Sequence, residues 1–217
     1  MRIGVVQHDP TDDESLDLRA LRDGVAAAAE RGACSVVVPC VEPIARDSSL
    51  YARFRSLVGD DHPDVELVIP CPGGSALVPT AFGLAALRLE DACLRADGDA
   101  AGARAFVWQF TPESEIQAEG LLEFAIAVSL HTPGLVITAA TGSADEGWRA
   151  RGSAIVQVGM VLAEAGDGND VIVADVPDPM LEPEPPGPHP VLPVILAQRL
   201  AAHEGRKIVP PWPADMS

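Results

Sequence analysis

Apolar and polar positions along this chain change period in blocks, and the changes mark out the elements. Residues 3–7 are apolar and end in Gln7, a run too short for a helix that reads as a buried strand. Pro10 breaks it. Thr11 followed three residues later by Glu14 has the form of a capping box, so a helix is expected from there. Leu18, Leu21, Val25 and Ala28 recur at helical spacing, and Gly32 sits where a C-terminal glycine cap belongs. Residues 35–39 form a β-branched run too apolar for an exposed strand. Strand, helix and strand in that order make a unit whose strands are parallel, because a crossover helix joins them.

Residues 45–58 are weakly helical, Asp60, Asp61 and Pro63 mark a turn, and a strand is expected at 65–70. The CPGGSA stretch is a tight connection to the segment 79–93, PTAFGLAALRLEDAC, in which Phe82-Gly83 leads an apolar strand ending in Glu90 and Asp91. Residues up to Gly102 suit a helix weakened by Gly98. A strand follows at 105–110, and Thr111-Pro112 reads as the cap and first turn of a helix through Ile116, Leu122, Ala125, Ile126 and Ser129. Next come a strand at 135–141 and a polar loop containing Trp148. The block SAIVQVGMVLAEAGDGNDVIVADVP divides at Gly159-Met160 and again at 166–170 into three strands, which predicts an antiparallel meander. Residues 177–193 are proline-rich and extended, with a helix expected near 194–202.

In this order the chain resembles the nitrilase (carbon-nitrogen hydrolase) superfamily over roughly residues 1–176: the VVQ strand, RGACSVVVPC, the FG-led strand, LVITAAT, and above all VLAEAG followed by VADV. The resemblance implies an α/β fold, an αββα sandwich, here with an internal deletion before the FG-led strand. Two strands and a lysine-bearing loop of the family are missing there, which agrees with Lys207 being the only lysine. Family members pair a glutamate base and a lysine with a cysteine nucleophile that forms a covalent adduct with an amide or nitrile carbon. The matching positions here read Cys40 for the base, a deletion for the lysine, and Glu90 for the nucleophile. Glu42 follows Cys40 by two residues, about 6–7 Å farther along a strand.

The candidate site residues are therefore Cys40, Glu42 and Glu90, with Arg88, His8 and Asp91 beside them as binding residues. Cys40 and Glu90 would form an exchanged nucleophile and base, but with Asp91 and Glu42 near and no lysine, like charges leave little thiolate. A packed Cys40 and a plain Arg88–Glu90 ion pair are the simpler expectations. Glu90 and Asp91 point to opposite faces of a strand and together offer a cation one ligand at most. His62, His131, His189 and His203 are scattered, whereas His8 ends the first strand near the expected site. Cys34, Cys40, Cys71 and Cys93 show no CxxC pair, so no metal is expected and most read as small buried hydrophobes.

Composition narrows the function. The chain has 217 residues, 47% of them hydrophobic, enough for one α/β domain with a sizeable core. A net charge of −17 argues against nucleic acid or an anionic membrane as partner. There is neither an apolar run near the ~20 residues of a membrane span nor a leader pattern at the start, and a cytoplasmic protein is expected. The expected organisation is one nitrilase-like domain, 1–176, and a C-terminal arm, 177–217, packed on a partner subunit. The preferred function is binding or assembly without ordinary amidase or nitrilase activity, as a homodimer or with a catalytically competent relative, and without a cofactor. The alternatives are a rewired enzyme acting on an amide or acyl small molecule through Cys40 and Glu90, and a pocket that binds a small-molecule ligand without turnover.

Overall fold

A computed structural model describes residues 1–41, 48–70, 77–81, 83–86, 105–131, 134–143 and 147–177. Along the chain run β1 (Arg2–Gln7), α1 (Glu14–Glu30), β2 (Ser35–Val37), α2 (Ser48–Asp61), β3 (Glu66–Val68), β4 (Leu77–Thr80) and β5 (Gly83–Ala86). They are followed by β6 (Ala105–Phe110), α3 (Glu115–His131), β7 (Leu135–Ala140), β8 (Ala154–Gln157), β9 (Met160–Glu164) and β10 (Asp170–Asp175). Two sheets result, one of four strands in the order β10-β1-β2-β3 and one of six in the order β4-β5-β6-β7-β8-β9.

Side-chain parity stacks these sheets into four layers. Because successive strand residues face opposite sides, Ile3, Val5, Val37 and Val68 of one sheet meet Ala105, Val107, Leu135, Ile137 and Ile155 of the other in a single apolar cluster. The alternate residues Val6, Val36, Val38 and Leu67 face Leu21, Val25 and Ala28 of α1 and Phe54 and Val58 of α2. On the far side Phe106, Trp108, Val136 and Val156 pack against Phe124, Ala125 and Val128 of α3. The arrangement is the expected αββα sandwich. α1 lies directly on β1: a Cβ at Gly4 would come within 2.9 Å of the Ala28 Cβ.

The expected βαβ unit holds in the parallel pairing of β1 with β2; β3 joins them in parallel, and β5, β6 and β7 are likewise parallel. Gly32, at φ +82°, ends α1 as foreseen, its N–H donating to Ala29 and that of Ala33 to Ala28. The helix start differs. Asp13, not Thr11, is the cap, its carboxylate accepting from the N–H groups of Ser15 and Leu16. Asp caps as well as Thr, and the later start leaves Thr11 to satisfy the carboxylate of buried Asp17. α3 also begins later than Thr111-Pro112, with the Ser114 hydroxyl accepting from Gln117 N–H. Thr111 is held at the end of β6 by a 2.7 Å hydroxyl contact with Thr141.

The closing meander is the larger correction. β8 and β9 pair antiparallel around Val158-Gly159, but β10 leaves their sheet and pairs antiparallel with β1, from Arg2↔Asp175 to Gln7↔Asp170. Its composition explains the move. Ile172 and Ala174 face the inter-sheet core while Val171 and Val173 pack on the α1 side, and only a place beside β1 covers both faces. The FG-led strand begins at Gly83 and is preceded by a partner, β4, in an antiparallel hairpin.

Surface ion pairs pin the ends of β1 and β10 and the loop before β10. Arg2 grips Asp175 at 2.7 Å, and Arg151 grips Asp167 at 2.5 Å and Glu115 at 2.8 Å. Hydrogen bonds from Arg2 and Arg151, and then their charge, hold the carboxyls of Asp175 and Asp167 below the usual carboxylate range. A depressed carboxyl stabilises the fold above its unfolded pKa, near about 3.9, and that contribution is lost as pH falls through the folded value. Replacing both aspartates with asparagine is expected to flatten the acid limb of a stability–pH curve below about pH 4. Because the pairs are exposed, the difference should fade in about 1 M salt, and an unchanged acid limb would show that they contribute nothing.

Candidate functional site

The carboxyl ends of parallel strands are where α/β sheets place ligands, and four such ends meet here. β1 ends in Gln7 and continues into His8 and Asp9, β2 continues to Cys40, and β6 and β7 end beside Thr111 and Thr141. His8 joins the two sheets: its N–H donates to Ala140 O and its carbonyl accepts from Gly142 N–H.

Parity decides what each side chain meets. Gln7 shares the inter-sheet side with Ile3 and Val5 and is 1% exposed. Its amide nitrogen lies 3.2, 2.6 and 2.8 Å from the carbonyls of Ala150, Gly166 and Gly168, and its oxygen accepts from Ser153 N–H at 3.0 Å. One side chain thereby ties the loops before β8 and before β10 to the end of β1.

His8 points the other way, toward α1. Asn169 Oδ1 accepts from Asp9 N–H at 2.8 Å, which fixes that atom as an acceptor, so His8 Nδ1, 3.0 Å away, carries a proton. His8 Nε2 lies 3.2 Å from Asp17 Oδ1 but off the line of a hydrogen bond, and both side chains are nearly enclosed. Asp17 Oδ1 is filled by the N–H and hydroxyl of Thr11, at 2.9 and 3.0 Å. As placed, His8 is a link among buried groups. Asp9 extends the link by accepting from Ala150 N–H and from Arg149.

Cys40 lies three residues beyond Val37, as His8 lies three beyond Val5, its register partner on β1. Its side chain belongs to the helix-facing cluster with Val36 and Val38 rather than to the inter-sheet core. Its main chain is held from the opposite sheet: Gln109 Oε1 accepts from Cys40 N–H at 2.5 Å and Gln109 Nε2 donates to Cys40 O at 2.8 Å. Glu42, Arg88, Glu90 and Asp91 lie outside the described residues, as do Cys71 and Cys93. Cys34 is exposed, not buried, with its sulfur 3.3 Å from Arg2 O.

Sequence reasoning gave Asp17 and Gln109 no role, although both carried a signal. Asp17 falls on the apolar stripe of α1 with Leu21, Val25 and Ala28, and Gln109 is a polar residue at an inward position of an apolar strand. Among the described residues no three His, Cys, Asp or Glu side chains are grouped to hold a metal ion, and no helix is long and apolar enough to cross a membrane.

No family model matches the sequence, and no curated protein does. Solved structures do match the fold. An amidase of the nitrilase superfamily from Nesterenkonia AN1, solved as a point mutant, superposes with a TM-score of 0.62 at 18% identity, covering 82% of this chain and 91% of that one. Nit3 of Saccharomyces cerevisiae, another nitrilase-superfamily member, gives 0.62 at 15% identity over 80% and 89%. The C. elegans NitFhit protein gives 0.64 at 13% identity over 95% of this chain and 64% of that one. At these identities the likeness is one of fold.

Proposed function

From a chain folded like members of the nitrilase superfamily, we propose a protein that works by binding or assembly and does not hydrolyse ordinary amides or nitriles. The observation that carries this is Cys40. At the position where the resemblance expects a carboxylate base stands a cysteine, 4% exposed, packed among the valines under α1 with its main chain clamped by Gln109. Lys207 being the only lysine and Glu90 standing at the nucleophile position support the same conclusion. The partner is a second copy of the chain or a catalytically competent relative on the same scaffold.

The test is release of ammonia from a panel of primary amides and nitriles by the purified protein, with none expected above the buffer rate. Sustained turnover would overturn the proposal and favour a rewired site using Cys40, Glu42, Glu90, Arg88, Asp91 and His8. Thiol labelling gives a second readout. Iodoacetamide at neutral pH is expected to modify exposed Cys34 first and Cys40 at least about a hundredfold more slowly, because a buried thiol reacts only through opening of the fold. Rapid labelling of Cys40 in a Cys34→Ser background would point to catalysis. Light scattering of the untagged protein is expected to give the mass of a dimer, and a monomer would remove the homodimer.

A further inference from the structure

Aspartate is followed directly by glycine at three places in the chain, Asp23-Gly24, Asp97-Gly98 and Asp167-Gly168. Such a pair is open to isomerisation, because glycine has no side chain to shield its nitrogen and turns freely to bring it onto the aspartate carboxyl. The glycine nitrogen bonds to the aspartate Cγ, the carboxyl loses its hydroxyl and the amide its hydrogen as water, and a cyclic imide results. Water then opens the ring. Opening at the main-chain carbonyl leaves the glycine linked through the aspartate side chain, one methylene longer in the backbone, with no net change of mass and no reagent beyond water.

The fold treats these pairs differently. Asp23-Gly24 lies inside α1, where helical hydrogen bonds set the backbone and Gly24 packs so closely on β1 that a Cβ would come within 2.8 Å of Val6. Asp97-Gly98 lies outside the described residues. Asp167-Gly168 is in the loop before β10, with the Asp167 side chain 52% exposed and Gly168 at φ +81°, a conformation that favours glycine. Both reacting groups are engaged elsewhere. Arg151 Nε and Nη2 donate to the two carboxylate oxygens at 2.8 and 2.5 Å, and Gly168 N–H donates to Ala150 O at 2.8 Å. Arg151 is in turn held by Glu115 at 2.8 Å. Its hydrogen bonds, and then its charge, keep the Asp167 carboxyl ionised, the form that gives up an oxygen least readily. The same loop is tied inward, since Gly168 O accepts from Gln7 Nε2 at 2.8 Å and Asn169 Oδ1 accepts from Asp9 N–H. An added methylene between Asp167 and Gly168 would carry these acceptors off their donors.

We propose that Asp167-Gly168 is a site of isoaspartate formation, that Arg151 is the positioning residue that holds it shut, and that conversion releases the loop from Gln7. The chemistry needs only water and is independent of whether the protein turns over a substrate. The test is peptide mapping of the full-length protein after incubation at neutral pH, with fragmentation that distinguishes the two linkages at each aspartate. Isoaspartate at Asp167 is expected at least about twentyfold more slowly than in a free peptide of residues 164–171, because reaction waits on opening of the loop. Arg151→Gln should speed it about fivefold, in keeping with an exposed ion pair. Arg151→Lys, which keeps the charge without the fork, should speed it only about twofold. Asp23 should remain unconverted in all three proteins. In the converted fraction, hydrogen exchange should rise at Ser153 N–H, which donates to Gln7 Oε1. A native rate equal to that of the peptide, an unchanged rate in Arg151→Gln, or equal conversion at Asp23 would overturn the proposal, and unchanged exchange at Ser153 would remove the link to Gln7.

Discussion

Replacing Gln7 with leucine is expected to destabilise the fold by about 3–5 kcal/mol, the largest effect of any single substitution considered. Leucine is close to glutamine in volume and apolar, so the loss would come from polar groups rather than from a cavity. The carbonyls of Ala150, Gly166 and Gly168 and the N–H of Ser153 all turn inward to one amide group. Once it is gone they remain in a place that water does not reach, and each orphaned buried group costs about 1–3 kcal/mol, offset in part as the loops relax. Urea unfolding followed by circular dichroism measures the difference. A change below about 0.5 kcal/mol would mean that the loops close without the glutamine.

The second large effect is expected at Asp17. Asp17→Leu should cost about 2–4 kcal/mol, because it strips both the N–H and the hydroxyl of Thr11 of their shared acceptor. His8→Gln combined with Asp17→Asn separates the pair from its surroundings. If the 3.2 Å approach of His8 to Asp17 matters, the double variant should depart from the sum of the two singles by about 1 kcal/mol or more. Additive behaviour would make Thr11 the sole beneficiary of the buried carboxylate. In both experiments hydrogen exchange at the N–H groups of Gly142 and Gly168 should rise first, since these lie where the two sheets are joined.

Much of the scaffold was legible as pattern. The alternation of Ile3 and Val5 with Val6 and of Ala105 and Val107 with Phe106 and Trp108 says that both faces of β1 and β6 are covered, and the α1 stripe says that a helix covers one of them. What misled was local chemistry with two good answers. Thr11 and Asp13 both have side chains able to cap a helix, as do Thr111 and Ser114, and the cap fell to Asp13 and Ser114 because Thr11 and Thr111 are bonded to Asp17 and Thr141. The order of β8, β9 and β10 reads as a meander because short polar turns favour hairpins. The greater burial available beside β1 outweighed proximity in sequence.

The candidate site was less legible because its contacts are long-range. Gln7 meets groups 143 to 161 residues away, and Cys40 meets Gln109 across the gap between sheets. A period of two fixes that alternate residues point apart, but it does not say which side holds the helices and which the second sheet.

The sequence by itself determined the blocks of strand and helix, the single lysine, the acidic surface and the likeness in order to a known scaffold, since these depend on neighbours a few residues apart. Only the tertiary structure decided that Cys40 turns toward the helices, that β10 crosses to the smaller sheet, and that Gln7 and Asp17 anchor the loops around the strand ends. Those outcomes depend on burial and on hydrogen-bond partners brought together from distant parts of the chain, and such partners exist only once the sheets have closed on each other.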